Sequence, residues 1–331
     1  MNRILVAGLC AAAVACGGSK SSPTAPESPL RVLQGQTVSA IDGSATGQVS
    51  VQIGRLSMQS DADGYFQVDV GGPGPFAAIL NGSRVVERRA NLPGPTADRT
   101  KVTLIPSSFD LPAFDEMVRG ANRRLKRWTT RPALVIVGTV MKYNASATDR
   151  FEALAERLTG DEVTVLTNHL NEALALLTGG TFTSFASVKV EWPAAGERVG
   201  VQRNGTILVG RYTGVQDQEQ TVGYGSWAEQ ADGTVVGGAM WLDRDFDRDD
   251  PERRLVRIHE LGHALGYSHV TVRTSIMNPW LGPSPTDFDR AAALIAFQRP
   301  VGNTSPDTDP GALTGGFAVA DGPLKWSTRV R

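Results

Sequence analysis

Apolar residues recur along this chain with two different periods, and the period changes near residue 107. Between Gln34 and Pro106 they alternate: Val49, Val51 and Ile53; Phe66, Val68 and Val70; Ala78 and Leu80; Val102 and Leu104. Period-two alternation predicts half-buried β-strands. Turn residues punctuate it at Asp42-Gly43, Asp63-Gly64, 71–75, Asn81-Gly82 and 93–95. Beyond it, Phe114, Met117, Val118, Ala121, Leu125 and Trp128 have helical spacing, and Arg123, Arg124, Lys126 and Arg127 crowd the last turns. That basic cluster reads as a solvated helix end. A buried strand follows at 133–140, then a helix over 163–177 with Leu166, Leu170, Ala173, Leu174 and Leu177 inward, stopped by Gly179-Gly180. Strands are predicted at 187–192, 205–212, 221–228 and 234–242, the last two joined by Ala231-Asp232-Gly233. A helix over 252–265 comes next. A last helix runs from Thr286, with Asp289 completing a capping box, to about Gln298, with Leu294 and Phe297 inward.

The chemistry sits on the helix over 252–265. The chain has 4 histidines, and His259, His263 and His269 fall in one run, H-E-x-x-H-x-x-G-x-x-H. Residues four apart share a helix face, so His259 and His263 can close on one ion. Leu255, Ile258, Leu261 and Leu265 lie on another arc, facing the core. Glu260 sits about 100° round the helix from His259, beside the ion rather than on it, where a general base belongs. Asp250 is the expected N-cap, Pro251 the first helical residue and Gly266 the stop. A left-handed turn at Gly266 brings His269 back toward the other two. Three neutral imidazoles with one open position make a catalytic zinc site rather than a closed structural one. His169, far upstream at the edge of an apolar stripe, reads as structural.

With Ser275-Ile276-Met277-Asn278-Pro279 following, the chain resembles the metzincin clan of zinc endopeptidases, and its Met-x-Pro ending looks most like the matrixin branch. The resemblance implies an α+β catalytic domain, a twisted mixed sheet plus the zinc helix, with Met277 in a Met-turn beneath the metal. It also implies an edge strand that holds the substrate extended, by position 221–228, and a pocket wall near Trp280 or Leu281. No Tyr stands two residues after Met277, and Val270 follows the third His where matrixins commonly carry a small hydroxyl residue. Asp61-Ala62-Asp63-Gly64-Tyr65-Phe66 resembles a hairpin of carboxypeptidase-regulatory-like β-sandwich domains, which implies a small all-β sandwich over 34–106 serving as spacer or adhesive module.

Composition changes the picture in three places. Net charge is −1, which gives no reason to expect nucleic acid as a partner. Met1 to Ala15, with Arg3 ahead of a short apolar run, reads as a targeting segment. Ala13-Val14-Ala15-Cys16 resembles a bacterial lipobox with Cys16 as the lipid attachment site, and the Gly-, Ser- and Pro-rich 17–33 reads as a tether. Cys10 and Cys16 are the 2 cysteines, so no disulfide and no cysteine-based latency is expected. The run Asp243, Asp245, Asp247, Asp249, Asp250 suggests calcium. Against it, position six of a calcium loop would be Arg248 and position twelve Arg254, so a solvated loop leading into a helix cap is the preferred reading.

The domain plan is then 1–16 signal, 17–33 linker, 34–106 sandwich, 107–300 catalytic domain and 301–331 tail, the tail carrying no legible chemistry. The expected function is a zinc-dependent endopeptidase acting on extracellular protein or peptide substrates, anchored to a lipid bilayer of the cell envelope or secreted. Zinc-activated water is the nucleophile and Glu260 the base. The alternatives are a surface binding lipoprotein with an inactive zincin domain, and a zinc hydrolase of non-peptide bonds.

Overall fold

The alternating segments of the N-terminal half form two sheets around one core. A computed structural model describes residues 31–143, 150–200, 203–213, 221–280 and 282–312. Strands β1 (Val32–Ser39), β4 (Tyr65–Asp69) and β7 (Thr100–Leu104) make one sheet in the order β4-β1-β7. Strands β2 (Ser50–Ile53), β3 (Leu56–Gln59), β5 (Phe76–Gly82) and β6 (Val85–Leu92) make the other, in the order β3-β2-β5-β6. The alternating residues Val51, Ile53, Phe66, Val68, Leu80, Val102 and Leu104 share a single buried cluster. Strand period decides this region because each strand has one wet face and one dry face.

The second half is built on a mixed sheet. Its strands β11 (Val188–Glu191), β8 (Ala133–Val137), β13 (Thr206–Thr213) and β15 (Val235–Asp243) pair in parallel in that order, and β14 (Gly223–Glu229) pairs antiparallel to β15. The strand expected over 133–140 is divided at Gly138, where a Cβ would lie 2.5 Å from the Trp192 ring. It continues as β9 (Thr139–Tyr143), which leads to β10 (Arg150–Arg157) and β12 (Arg198–Gly200). Helix α2 (Gly160–Leu177) starts earlier than its apolar stripe, because Thr159 and Glu162 form a capping box. Among the described residues no helix is long and apolar enough to cross a membrane.

Three expectations need correction. The helix over 114–128 is one short turn, α1 (Leu111–Phe114), continued by a wide turn to Arg119 and a tight one to Asn122. Gly120 at φ +54 and Arg123 at φ +51 break it. Beyond the break Leu125 N–H donates to Asn303 O, and tertiary pairing replaces the helical bond. The basic cluster is not a solvated end either: Lys126 is 4% exposed and lies over the Trp227 ring. Third, the acidic run is helical. Asp243 caps α3 (Arg244–Asp249) by accepting from the N–H groups of Asp245 and Phe246. Asp247 is buried between Arg211 and Arg257, at 2.7 and 2.6 Å.

Residues 299–309 join the two halves. Asp309 N–H donates to Arg89 O and Arg89 N–H to Asp307 O, which adds a short extended piece beside β6. Arg299 donates twice to Asp307 at 2.8 Å and also reaches Thr103. Arg88 reaches Asp309 at 3.2 Å, and Asn303 donates to both aspartates. Nearly every charge here is buried, so each carboxylate depends on its guanidinium. Removing one partner strands the other without water. Asp307→Ala is therefore expected to cost about 3–5 kcal/mol, read as a lowered midpoint of chemical unfolding, while Asp307→Asn costs less. An unchanged midpoint would show that water replaces the carboxylate.

Candidate metal centre

Helix α4 (Arg253–Ala264) carries two of the three candidate ligands. It packs between α2 on one side and strands β14 and β15 on the other. Its start differs from the sequence reading. Glu252 is the capping position and makes no side-chain cap bond; Asp250, expected as the cap, accepts from Glu252 N–H one turn earlier. Its end is as read: Gly266 takes φ +104, and Trp128 Nε1 donates to the Ala264 carbonyl at 3.0 Å.

The turn at Gly266 brings the three imidazoles together. His259 Nε2 lies 3.0 Å from His263 Nε2, which lies 3.1 Å from His269 Nε2. The other ring nitrogens explain why these are not hydrogen bonds. His259 Nδ1 donates to Ile276 O at 2.6 Å, and His263 Nδ1 donates to Tyr267 O at 2.7 Å. The hydrogens are thus on Nδ1, and the Nε2 lone pairs face one another. Lone pairs so close repel unless a cation lies between them. Tetrahedral donors about 2.0–2.1 Å from one zinc would stand roughly 3.3 Å apart, near the spacing found. The residues present fit the metal.

Burial sets the protonation. Desolvation lowers the His259 pKa to about 4, against a raising contribution from the Ile276 carbonyl. Burial also holds His263 well below its ordinary value and lowers His269. All three are neutral, as ligands must be. Glu260 is fully buried and neither carboxylate oxygen has a hydrogen-bond partner. Without a counter-charge, burial pushes its pKa well above the usual carboxylate range. A divalent ion beside it would supply that charge.

The floor and the roof of the site come from elsewhere in the chain. Met277 lies below, fully buried; a Cβ at Gly262 would lie 2.4 Å from its sulfur. The turn around Met277 is tied by Val270 N–H to Met277 O, and by Asn278 Nδ2 to the carbonyls of Val270 and Arg273. Asp289, the capping-box carboxylate of α5 (Asp287–Phe297), also accepts from Ser275 Oγ and Ile276 N–H. It therefore braces the segment whose carbonyl orients His259. Above, β14 crosses the helix at two glycines. A Cβ on Gly223 would lie 2.4 Å from Glu260 Oε1, and one on Gly225 would lie 2.5 Å from His263 Cβ. The sequence reading missed both. Glycine inside a strand is the signal, since it marks a close approach.

Other candidates fall outside the centre. His169 Nδ1 accepts from Arg257 Nη1 at 2.8 Å and has a structural place on the outer side of α4. Trp280 is 68% exposed, while Leu281 and Cys16 lie outside the described residues. Among the described residues, His259, His263 and His269 are the one group of three or more potential ligands brought together, all within 4.8 Å. Asp243 and Asp247 are engaged as a cap and as an arginine partner.

Imidazoles converging beside a buried carboxylate, under the outermost described strand of a mixed sheet, make a site fitted to one divalent ion. Residues 216–291 match the model of the Matrixin peptidase family. The match supports a metzincin-like zinc protease, for which zinc is the family's metal. No curated protein matches the chain.

Two outcomes follow from this geometry. An unfolded histidine binds a proton near pH 6.5, but folded His259 does so only near about 4. Between those values the unfolded chain holds more protons, so stability falls as pH falls. The melting temperature of the metal-free protein should drop across that window, and drop less in His259→Asn; equal profiles would count against buried neutral imidazoles. Gly225→Ala should weaken zinc binding by at least about tenfold in a chelator competition, the scale of disturbing a ligand's surroundings. Unchanged affinity would show that β14 yields without moving His263.

Proposed function

We propose that this protein is a zinc-dependent endopeptidase that hydrolyses internal bonds of extracellular proteins. One observation carries the reading: three lone pairs converge on one point beside a buried carboxylate whose oxygens have no partner. His259, His263 and His269 would hold the ion. When bound, zinc supplies Lewis acidity for the scissile carbonyl and the attacking water.

The chain's own residues do the rest. Glu260 takes the proton of the attacking water and returns it to the departing amine. Its burial keeps competing water away and makes it a stronger base than a solvated carboxylate. Ile276 O and Tyr267 O hold two imidazoles in the ligating tautomer. Met277 and Gly262 set the depth of the floor. Strand β14, which pairs with β15 alone among the described strands, lies over Glu260 and supports a substrate held extended by main-chain pairing. The similarity to Matrixin over 216–291 favours a peptide bond over other bonds.

The same proposal places the enzyme outside the cytoplasm as a lipoprotein attached at Cys16, or else secreted. Arg3, the apolar run to Ala15 and Ala13-Val14-Ala15-Cys16 support this. The N-terminal two-sheet unit is read as a carboxypeptidase-regulatory-like sandwich acting as a spacer. Its polar hollow between Gln48 and Arg84 shows no catalytic constellation.

The test is cleavage of a mixed peptide library by zinc-loaded protein. Glu260→Gln should keep one zinc per chain and lose about 10²–10⁴ in rate, the range for a general base, and a chelator should abolish wild-type turnover. Zinc in both proteins with no peptide cleaved by either would overturn the protease reading in favour of a surface binding protein.

A further inference from the structure

Beside the third imidazole the surface opens into a hollow of about 710 Å³. Ser268 and His269 form one wall, and the segment from Pro112 to Arg123 forms most of the rest. That segment lies outside the stretch that matches Matrixin. Most of the lining thus comes from outside that stretch, while Ser268 and His269 lie within it.

The acceptors around it are already engaged. Asp115 accepts from Arg119 and from Ser305 Oγ. Glu116 accepts from the N–H and hydroxyl of Thr271, at 2.7 and 2.9 Å, and from Val272 N–H. Donors are left over. Ser268 Oγ receives a hydrogen bond from Lys126 Nζ at 3.3 Å, so its own O–H must find an acceptor elsewhere. His269 turns Nε2 toward the other imidazoles. Arg123 is exposed, and its guanidinium makes no ion pair among the described residues. Its backbone is held at φ +51 and its N–H donates to Gly120 O, which fixes the stem at the rim.

The lining carboxylates Asp115 and Glu116 keep their charge and are offset by Arg119 and Arg123, so the part of the hollow complementary to an anion is the rim where the Arg123 guanidinium and the Ser268 hydroxyl stand. Lys126, buried behind Ser268 and over Trp227, adds positive charge where water screens it least. We propose that this hollow is a subsite for an acidic side chain, Asp or Glu, of the peptide substrate, gripped by Arg123 and Ser268 next to the metal centre. The inference rests on the protease reading and adds a preference to it. An Arg-carboxylate contact flanked by a hydroxyl is charge-assisted and directional. Its partial exposure makes it sensitive to salt.

The test uses paired peptides in which one residue, at each position from four before to four after the cut, is Glu or Gln. One position should favour Glu by about tenfold in kcat/KM, the size of one charge-assisted hydrogen bond. The ratio should shrink at high salt, collapse in Arg123→Gln, fall in Ser268→Ala and turn toward Lys in Arg123→Glu. Melting temperatures report whether each variant is folded. A parallel arm measures fluorescence anisotropy of the labelled Glu and Gln peptides on zinc-loaded Glu260→Gln protein. No acidic preference at any position, or a preference that survives Arg123→Gln, overturns the subsite. If wild type cleaves none of the peptides, the protease reading fails and the binding arm decides the subsite alone. Arg123-dependent preference for the Glu peptide sustains it, and equal binding of the two peptides overturns it.

Discussion

His263 Nε2, held about 3 Å from the Nε2 atoms of both His259 and His269 in a buried place, is the constraint on which the rest of the structure depends. Left alone, such an arrangement is unfavourable twice over. The lone pairs repel, and burial has removed the water that would solvate them. The fold opposes the repulsion with fixed geometry. Helical spacing aligns two rings, the turn at Gly266 delivers the third, and two carbonyls fix which nitrogen carries hydrogen. Glu260 extends the same logic, as an acid with no partner placed where a cation would be its partner. A divalent ion resolves both problems at once. Folding therefore prepares a site whose electrostatic demand a divalent ion would meet.

Holding α4 still enough for this draws on both of its faces. On the inner face, glycines in β14 remove the Cβ atoms that would keep strand and helix apart. On the outer face Asp247 binds Arg211 and Arg257 together, and Arg257 reaches His169. Buried ion pairs of this kind add little net stability, because desolvation offsets the attraction. Their geometry is directional, however, and that fixes the rotation of the helix about its axis. The Arg88, Arg299, Asp307 and Asp309 cluster uses the same device at larger scale, joining the two-sheet unit to the part that carries the three histidines.

Much of this was legible in the residues. The strand alternation reappears as the core of the two-sheet unit, α2 buries the leucines assigned to it, and Thr286 and Asp289 form the capping box expected of them. The His259, His263, His269 set was readable because helix pitch and a glycine turn are local properties. Less was readable where partners come from far along the chain. Leu294 and Phe297 are only partly buried, and the inner stripe of α5 is Phe288, Ala292, Ile295 and Ala296 instead. Of the 114–128 stripe Phe114, Met117, Val118, Leu125 and Trp128 are buried while Ala121 is exposed, and Gly120 and a bond to Asn303 break its helix. The acidic run looked solvated because Arg211, 36 residues away, and Arg257 are not visible as its partners from spacing.

The sequence by itself determined that three histidines converge, the period of each half and most element positions, since these follow from rotation per residue and from caps within a few positions. Only the tertiary structure decided which charges are buried, that Lys126 sits behind Ser268, that residues 299–309 clasp both halves, and that Gly223 and Gly225 lie against the centre. Those depend on which distant surfaces meet. A charged side chain looks alike in sequence whether water or a guanidinium from another strand satisfies it; packing makes that choice by excluding the water.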